Sequence, residues 1–140
     1  DFSHDYKQAT KNLSRLSLNI RFNSNGGNFI FDSKSSRDLD RLAQFIQANR
    51  IQEILAIGFT GNKSNEKDPI NQNKANINRS LRLANMVNHG LRERAIRSTK
   101  IAGLGTINPL ESDETESGIS KNSRVEIWIK NPTQLIESLN

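Results

Sequence analysis

The side chains able to do chemistry in this sequence are few, and most of them are cations. His4 and His89 are the only histidines, and imidazole is the side chain whose ordinary pKa suits proton transfer at neutral pH. His4 falls in a polar lead-in segment, and His89 sits beside Gly90 near the end of a helical pattern. The chain has no cysteine, which removes thiol nucleophiles, disulfides and zinc-finger spacing. No nucleophile elbow, His-Glu-x-x-His pair or phosphate loop occurs. Gly103-Leu-Gly105 lacks the third glycine of a dinucleotide fingerprint and follows the wrong strand for one. Carboxylates crowd at Glu111, Asp113, Glu114 and Glu116, a composition expected of a solvated loop. The expectation is a chain that is not an enzyme and that calls for no metal or cofactor.

What remains is binding chemistry. Arg79 and Arg82 lie three residues apart, a spacing at which two guanidinium groups share one helix face. Lys and Arg number 20 against 15 Asp and Glu, for a net charge of +5 and a pI near 9.8. That balance allows nucleic acid, anionic lipid or a carboxylate-bearing polymer as partner. Single-stranded RNA is bound on sheets that offer exposed aromatics from central strands. Here Trp128 is the only obvious outward aromatic on a strand, and no glycine–aromatic ribonucleoprotein motif is present. Trp128 is better read as a surface ring packing over a neighbouring helix or tail, so no nucleic-acid partner is expected. No run of about 18 apolar residues exists, so no segment of this chain is expected to span a membrane.

The elements that must position these groups read clearly. At 140 residues the length is that of one domain. Residues 1–15 read as a linker or lead-in helix. Leu16, Leu18, Ile20 and Phe22 alternate with polar residues, the period of a half-buried strand, and Asn23 to Asn28 is a dense turn signal. Ser35 followed by Asp38 fits a helix cap, ahead of a Leu39, Leu42, Ala43, Ile46 stripe. Ile54 to Phe59 is a near-continuous apolar run, expected as a central strand buried on both faces. The chain has 18 asparagines, six of them between residues 62 and 78, so that stretch reads as a long polar loop. Pro69 within it argues against any regular element there. A second helix is expected from about Ala75 to Leu91, carrying Ile77, Leu81, Ala84, Val87 or Asn88, and Leu91 on one side. Thr99 to Leu104 is a third strand, Arg124 to Lys130 a fourth, and residues 131–140 a tail or short helix. The order β-α-β-α-β-β implies an α/β two-layer sandwich with helices on one face of a mixed sheet.

Read together, four blocks follow a known order: Gly58-Phe-Thr-Gly61, Asn76-x-x-Arg79-Ser80-x-x-Leu83-Ala84-x-x-Val87, Gly103-Leu-Gly-Thr-Ile-Asn-Pro109, and Asn122-Ser-Arg-Val-Glu-Ile127. They resemble the OmpA-like C-terminal domain, the peptidoglycan-binding module of Gram-negative envelope proteins. The likeness covers residues 16–130. It is closer still to the variety fused behind phosphate-type substrate-binding domains, on the stretches 16–22, 37–42 and 124–130. The resemblance implies a non-catalytic pocket at one end of the sheet, in a periplasmic, outer-membrane-associated part of a larger exported protein. The absence of an initiator Met at Asp1 is read the same way, as a piece of a longer chain.

In typical members of that family an Asp and an Arg clamp the zwitterionic head of diaminopimelate in the peptidoglycan stem peptide. A carboxylate holds the ammonium, and a guanidinium holds the carboxylate through two parallel hydrogen bonds. This sequence departs at both positions. Gly61 stands where the Asp belongs, and Leu83 where the Arg belongs, with Arg82 just before it. Sliding the helix one residue would recover Arg82 but spoil Ala84, Val87 and Leu91, so the natural register is kept. Losing the carboxylate removes a contact worth about 1.5–3 kcal/mol, or about 10- to 100-fold in affinity. The expected ligand-binding residues are Thr60, Gly61, Asn76, Arg79, Arg82, Asn122 and Arg124, with the stem peptide as a weakened partner. The alternative is a degenerate member of the fold that serves as a protein-interaction or ligand-sensing module through the Asn-rich loop 62–78.

Overall fold

A computed structural model of the chain describes residues 2–25, 28–61, 67–106 and 122–130. In chain order these form α1 (Phe2–Ala9), β1 (Ser14–Asn25), β2 (Asn28–Phe31), α2 (Ser33–Ala48), β3 (Glu53–Phe59), α3 (Pro69–Arg92), β4 (Thr99–Gly103) and β5 (Arg124–Lys130). The strands make one five-stranded sheet in the order β2-β1-β5-β3-β4. Only β3 and β4 run parallel, joined by the α3 crossover; β5 lies antiparallel between β1 and β3. The sheet is therefore mixed, as expected, with one strand more than the sequence pattern shows. That extra strand is β2, which pairs with β1 up to Asn25↔Asn28. The flanks of the Asn- and Gly-rich turn signal, Asn23 to Asn25 and Asn28, belong to the ladder.

One face of the sheet carries the main core. Ile20, Phe22, Ile54, Ala56, Val125, Ile127 and Ile129 meet Leu39, Leu42, Ala43 and Ile46 of α2 and Leu83, Val87 and Leu91 of α3. At α2 the cap is Asp32, not Ser35: the Asp32 carboxylate accepts from Ser35 N at 2.6 Å. Ser35 is buried and works across the layers instead, donating from Oγ to Arg21 O at 2.7 Å and accepting from Arg21 N at 3.3 Å. At α3 the helix starts six residues before the expected Ala75. Proline at the first helical position lacks only an N–H that would be unpaired anyway, and Asp68 caps it, accepting from Ile70 N at 3.4 Å. Pro69 thus opens the helix rather than excluding it, and Asn71, Asn73, Asn76 and Asn78 are helical rather than part of a loop. The buried stripe is Asn76, Ser80, Leu83, Ala84, Val87, Gly90 and Leu91, whereas Leu81 is exposed and Ile77 half-buried. Leu83 faces inward, with Ala84 and Val87.

The lead-in helix corrects a second expectation. Helices lie on both faces, because α1 covers the face opposite α2 and α3. There Tyr6 packs edge-on against Phe59 and Trp128, with ring centroids 5.9 and 5.8 Å apart, beside Leu55, Ile57, Ala102 and Leu104. Trp128 is the expected packed ring. The acidic stretch 111–116, residues 62–66 and the tail 131–140 lie outside the described residues.

Candidate functional site

The site is built where β3 and β4 end and β5 begins. Two glycines let α3 settle directly onto these strands. A Cβ on Gly58 would stand 1.9 Å from Ser80 O, and one on Gly103 would stand 2.6 Å from Leu81 N. With the helix this close, Ser80 Oγ reaches across to accept from Gly105 N at 2.9 Å while donating to Ile77 O at 2.8 Å. Gly105 itself holds a φ of +67°, which only glycine adopts without strain. The backbone continues the parallel ladder past the strand ends, with Leu104 N to Gly58 O at 3.0 Å and Thr60 N to Gly105 O at 2.8 Å.

On this platform Arg79 comes down from α3 onto Thr60. Its Nε donates to Thr60 Oγ1 at 3.1 Å, and Thr60 Oγ1 donates to Gly61 O at 3.0 Å. Gly61 N donates to Ser123 Oγ at 3.5 Å, which ties the β3 exit to the β5 entrance. Burial first, and the charge of Arg82 second, push the Arg79 guanidinium below its ordinary pKa. It stays cationic at neutral pH, since guanidinium starts far above that range.

Of the seven expected residues, Thr60, Gly61, Asn76, Asn122 and Arg124 are buried, Arg79 is half-buried and Arg82 is exposed. Thr60, Gly61, Asn76, Arg79 and Asn122 gather at this end of the sheet. Arg82 lies one turn on and points to solvent. Arg124 starts at the same end, paired across the ladder with Phe59, but its guanidinium turns to the α1 face. It lies 4.3 Å over the Phe59 ring, with Nη1 donating to Asn122 O at 3.3 Å and Nη2 to Glu126 Oε2 at 3.2 Å. Leu83, at the position where the resemblance expects the clamp arginine, is fully buried in the core. The guanidinium that reaches Thr60 is that of Arg79, one helical turn before Leu83 on α3.

Three participants were not singled out in the sequence. Ser80 and Ser123 are small hydroxyls inside longer motif blocks, and nothing local marks them as ties. Glu126 is the third. It occupies a polar phase of the β5 alternation, yet it is 2% exposed. Its Oε1 accepts from Tyr6 OH at 2.8 Å and Trp128 Nε1 at 3.1 Å, while Oε2 faces Arg124 and, at 3.6 Å, Arg15. Burial, then the hydrogen bond to Glu126, pushes the Tyr6 hydroxyl up to about 12. His4 lies in α1, and His89 is an exposed residue bonded to Glu93 at 3.0 Å. No metal-competent group of three or more His, Cys, Asp or Glu occurs among the described residues. Nor is any helix among them long and apolar enough to cross a membrane.

The sequence matches no protein-family profile and no curated protein. The fold, however, has solved neighbours. The periplasmic domain of Helicobacter pylori MotB is 19% identical, covering 91% of this chain and 85% of its own, at a TM-score of 0.64. The cell wall anchor of the T6SS from Pseudomonas aeruginosa is 17% identical over 93% and 94%, at 0.62. The peptidoglycan-associated lipoprotein from Burkholderia pseudomallei is 16% identical over 79% and 88%, at 0.64. The chain has the OmpA-like fold. In the terms of that fold, the parallel β3–α3–β4 unit and the start of β5 carry the described residues of the four motif blocks. The described site residues lie at their shared end.

Proposed function

We propose that this OmpA-like domain is a non-catalytic module of the bacterial envelope that holds peptidoglycan through a carboxylate of the stem peptide. The observation that carries the reading is the Arg79 guanidinium, seated on Thr60 beside Gly61 at the strand ends. The fold adds support, since one neighbour is described as a cell wall anchor and another as peptidoglycan-associated. A periplasmic location is part of this reading, supported by a neighbour described as the periplasmic domain of MotB. Arg79 and Arg82 are the two expected site residues with surface to offer a ligand. Both are cations, and Gly61 supplies no carboxylate for an ammonium. The domain therefore grips the acidic half of the diaminopimelate head and only weakly its amine.

The test is co-sedimentation with purified peptidoglycan sacculi alongside calorimetry with a diaminopimelate-containing peptide. Binding in both is expected; failure of both, for protein that is folded by circular dichroism, overturns the reading. A second reading, a protein-interaction module, is favoured by one feature: Leu83 lies in the core and Gly61 is buried, so neither position offers a ligand a charge. Capture of a defined envelope protein by residues 62–78, with no binding to sacculi, is the result that would select it.

A further inference from the structure

The net charge of this molecule is gathered on one side. α2 carries Lys34, Arg37 and Arg41 against Asp38 and Asp40, and α3 carries Lys74, Arg79, Arg82 and Arg92 against no carboxylate. Seven cations against two acids leave +5, the net charge of the whole chain, so everything outside these two helices sums to zero. Both helices pack on the same face of the sheet, and Arg94 ties them where its Nε meets Asp40 at 2.7 Å. Asp40 is occupied by that bond, and Asp38 by Lys34 at 2.8 Å. Arg37, Arg41, Lys74, Arg82 and Arg92 are exposed and make no ion pair among the described residues.

Helical spacing turns these charges outward. Arg37 and Arg41 lie on α2 opposite the buried Leu39, Leu42 and Ile46, and Lys74, Arg82 and Arg92 lie on α3 opposite the buried Ser80, Leu83 and Val87. Apolar side chains stand among them. Of the four large hydrophobic residues exposed among the described residues, three belong to this layer: Phe45 at 43%, Ile70 at 66% and Leu81 at 39%. Free cations interleaved with exposed aromatic and aliphatic side chains suit an anionic lipid surface, where the cations meet phosphates and the apolar groups enter the acyl boundary. The cations are spread over two helices rather than converging on one pocket, which matches a continuous anionic surface. A second copy of the same face does not fit, because it would set cation against cation.

We propose that the α2–α3 layer is a docking face for an anionic phospholipid bilayer, held by Arg37, Arg41 and Phe45 on α2 and by Ile70, Lys74 and Leu81 on α3. Co-sedimentation with vesicles of phosphatidylcholine and phosphatidylglycerol, against vesicles of phosphatidylcholine alone, tests it. Binding is expected to the anionic vesicles only. Arg37→Gln combined with Arg41→Gln should weaken it about 10- to 30-fold, at about 5-fold for each cation near such a surface. Lys7→Gln combined with Lys11→Gln removes the same charge from α1 and its exit, at exposed positions on the other side of the sheet. Those charges lie beyond a Debye length of about 8 Å from the docked surface, so affinity should change less than about 3-fold. Phe45→Trp should shift its emission to the blue on anionic vesicles, whereas the parent protein, its Trp128 packed against Tyr6, should not. No binding of the folded protein to anionic vesicles, equal losses from the two double variants, or an unmoved Phe45→Trp spectrum would each overturn the proposal. So would capture of an acidic protein by this face with vesicles ignored. Sacculus binding should survive Arg37→Gln with Arg41→Gln, so this face and the Arg79 site fail separately.

Discussion

Arg79 combines two properties that single residues in this chain rarely share: it is half-buried, so its charge is poorly screened, and it keeps surface for a ligand. Truncating it should remove a charge-assisted contact. In calorimetry with the diaminopimelate peptide, Arg79→Ala is expected to weaken binding about 10- to 100-fold. Arg79→Lys should recover only part of this, because an ammonium cannot make the two-pronged bond. Arg82→Ala should cost less than about 1 kcal/mol, as exposed charges do. Equal affinity of Arg79→Ala and the parent protein would sink the assignment. On the opposite face, Tyr6 reports a different physics. Its hydroxyl is raised to about 12 by burial and by Glu126, above the ordinary value near 10. A group whose folded pKa is raised contributes stability that is complete below the unfolded pKa and lost as pH rises through the folded one. Stability should therefore fall between about pH 10 and 12, and Tyr6→Phe should lack that fall. Trp128 is the sole tryptophan and touches Tyr6, so its fluorescence during denaturation reads the effect directly.

Among the elements, α3 does most to shape the site, and its position depends on glycine. Because Gly58 lies under the Ser80 carbonyl with no room for a methyl group, Gly58→Ala must push α3 off β3. The expected loss is at least about 2 kcal/mol by denaturant midpoint, at the upper range of overpacking effects. The shift would also pull Arg79 from Thr60, so ligand affinity should fall with it. An alanine variant of unchanged stability would contradict the packing described. At the far end, Arg94 fastens α3 to α2, with Nε on Asp40 Oδ1 and Nη1 on Gly90 O at 2.8 Å. The helix is thus held at two places, by glycine contact at its middle and by a guanidinium just past its end.

At the scale of the whole molecule, the net charge of +5 offers a rival to any specific pocket. Diffuse attraction to an acidic polymer is screened within about 8 Å at physiological salt, whereas a half-buried guanidinium is screened less. Sacculus binding that persists at about 0.5 M salt is the expected outcome for a built site. Binding that vanishes by then, and is indifferent to Arg79→Ala, would assign the contact to net charge alone.

Much of this architecture was legible in the residues. The alternation of β5, the apolar run of β3 and the inward register of Leu83, Ala84 and Val87 are local periodicities, and the chain folds as they indicate. The helix start at Asp68-Pro69 was also written there, but the density of asparagine masked it. What local pattern could not reveal was the fate of the polar phases. Arg124 and Glu126 alternate with Val125 and Ile127 as a solvent-facing pair would, yet they are 1% and 2% exposed. Glu126 takes a hydrogen bond from Tyr6, 120 positions away in the chain, and Arg124 lies over Phe59. Breaking such a buried pair is costly, about 3–5 kcal/mol when one partner is removed. By itself, the sequence determined the type of the main helices and strands and most of their apolar faces, because those depend on neighbours within a turn or a pleat. Only the tertiary structure decided which polar residues lose water and which arginine reaches Thr60. Desolvation is set by whatever packs on top, and that arrives from distant parts of the chain.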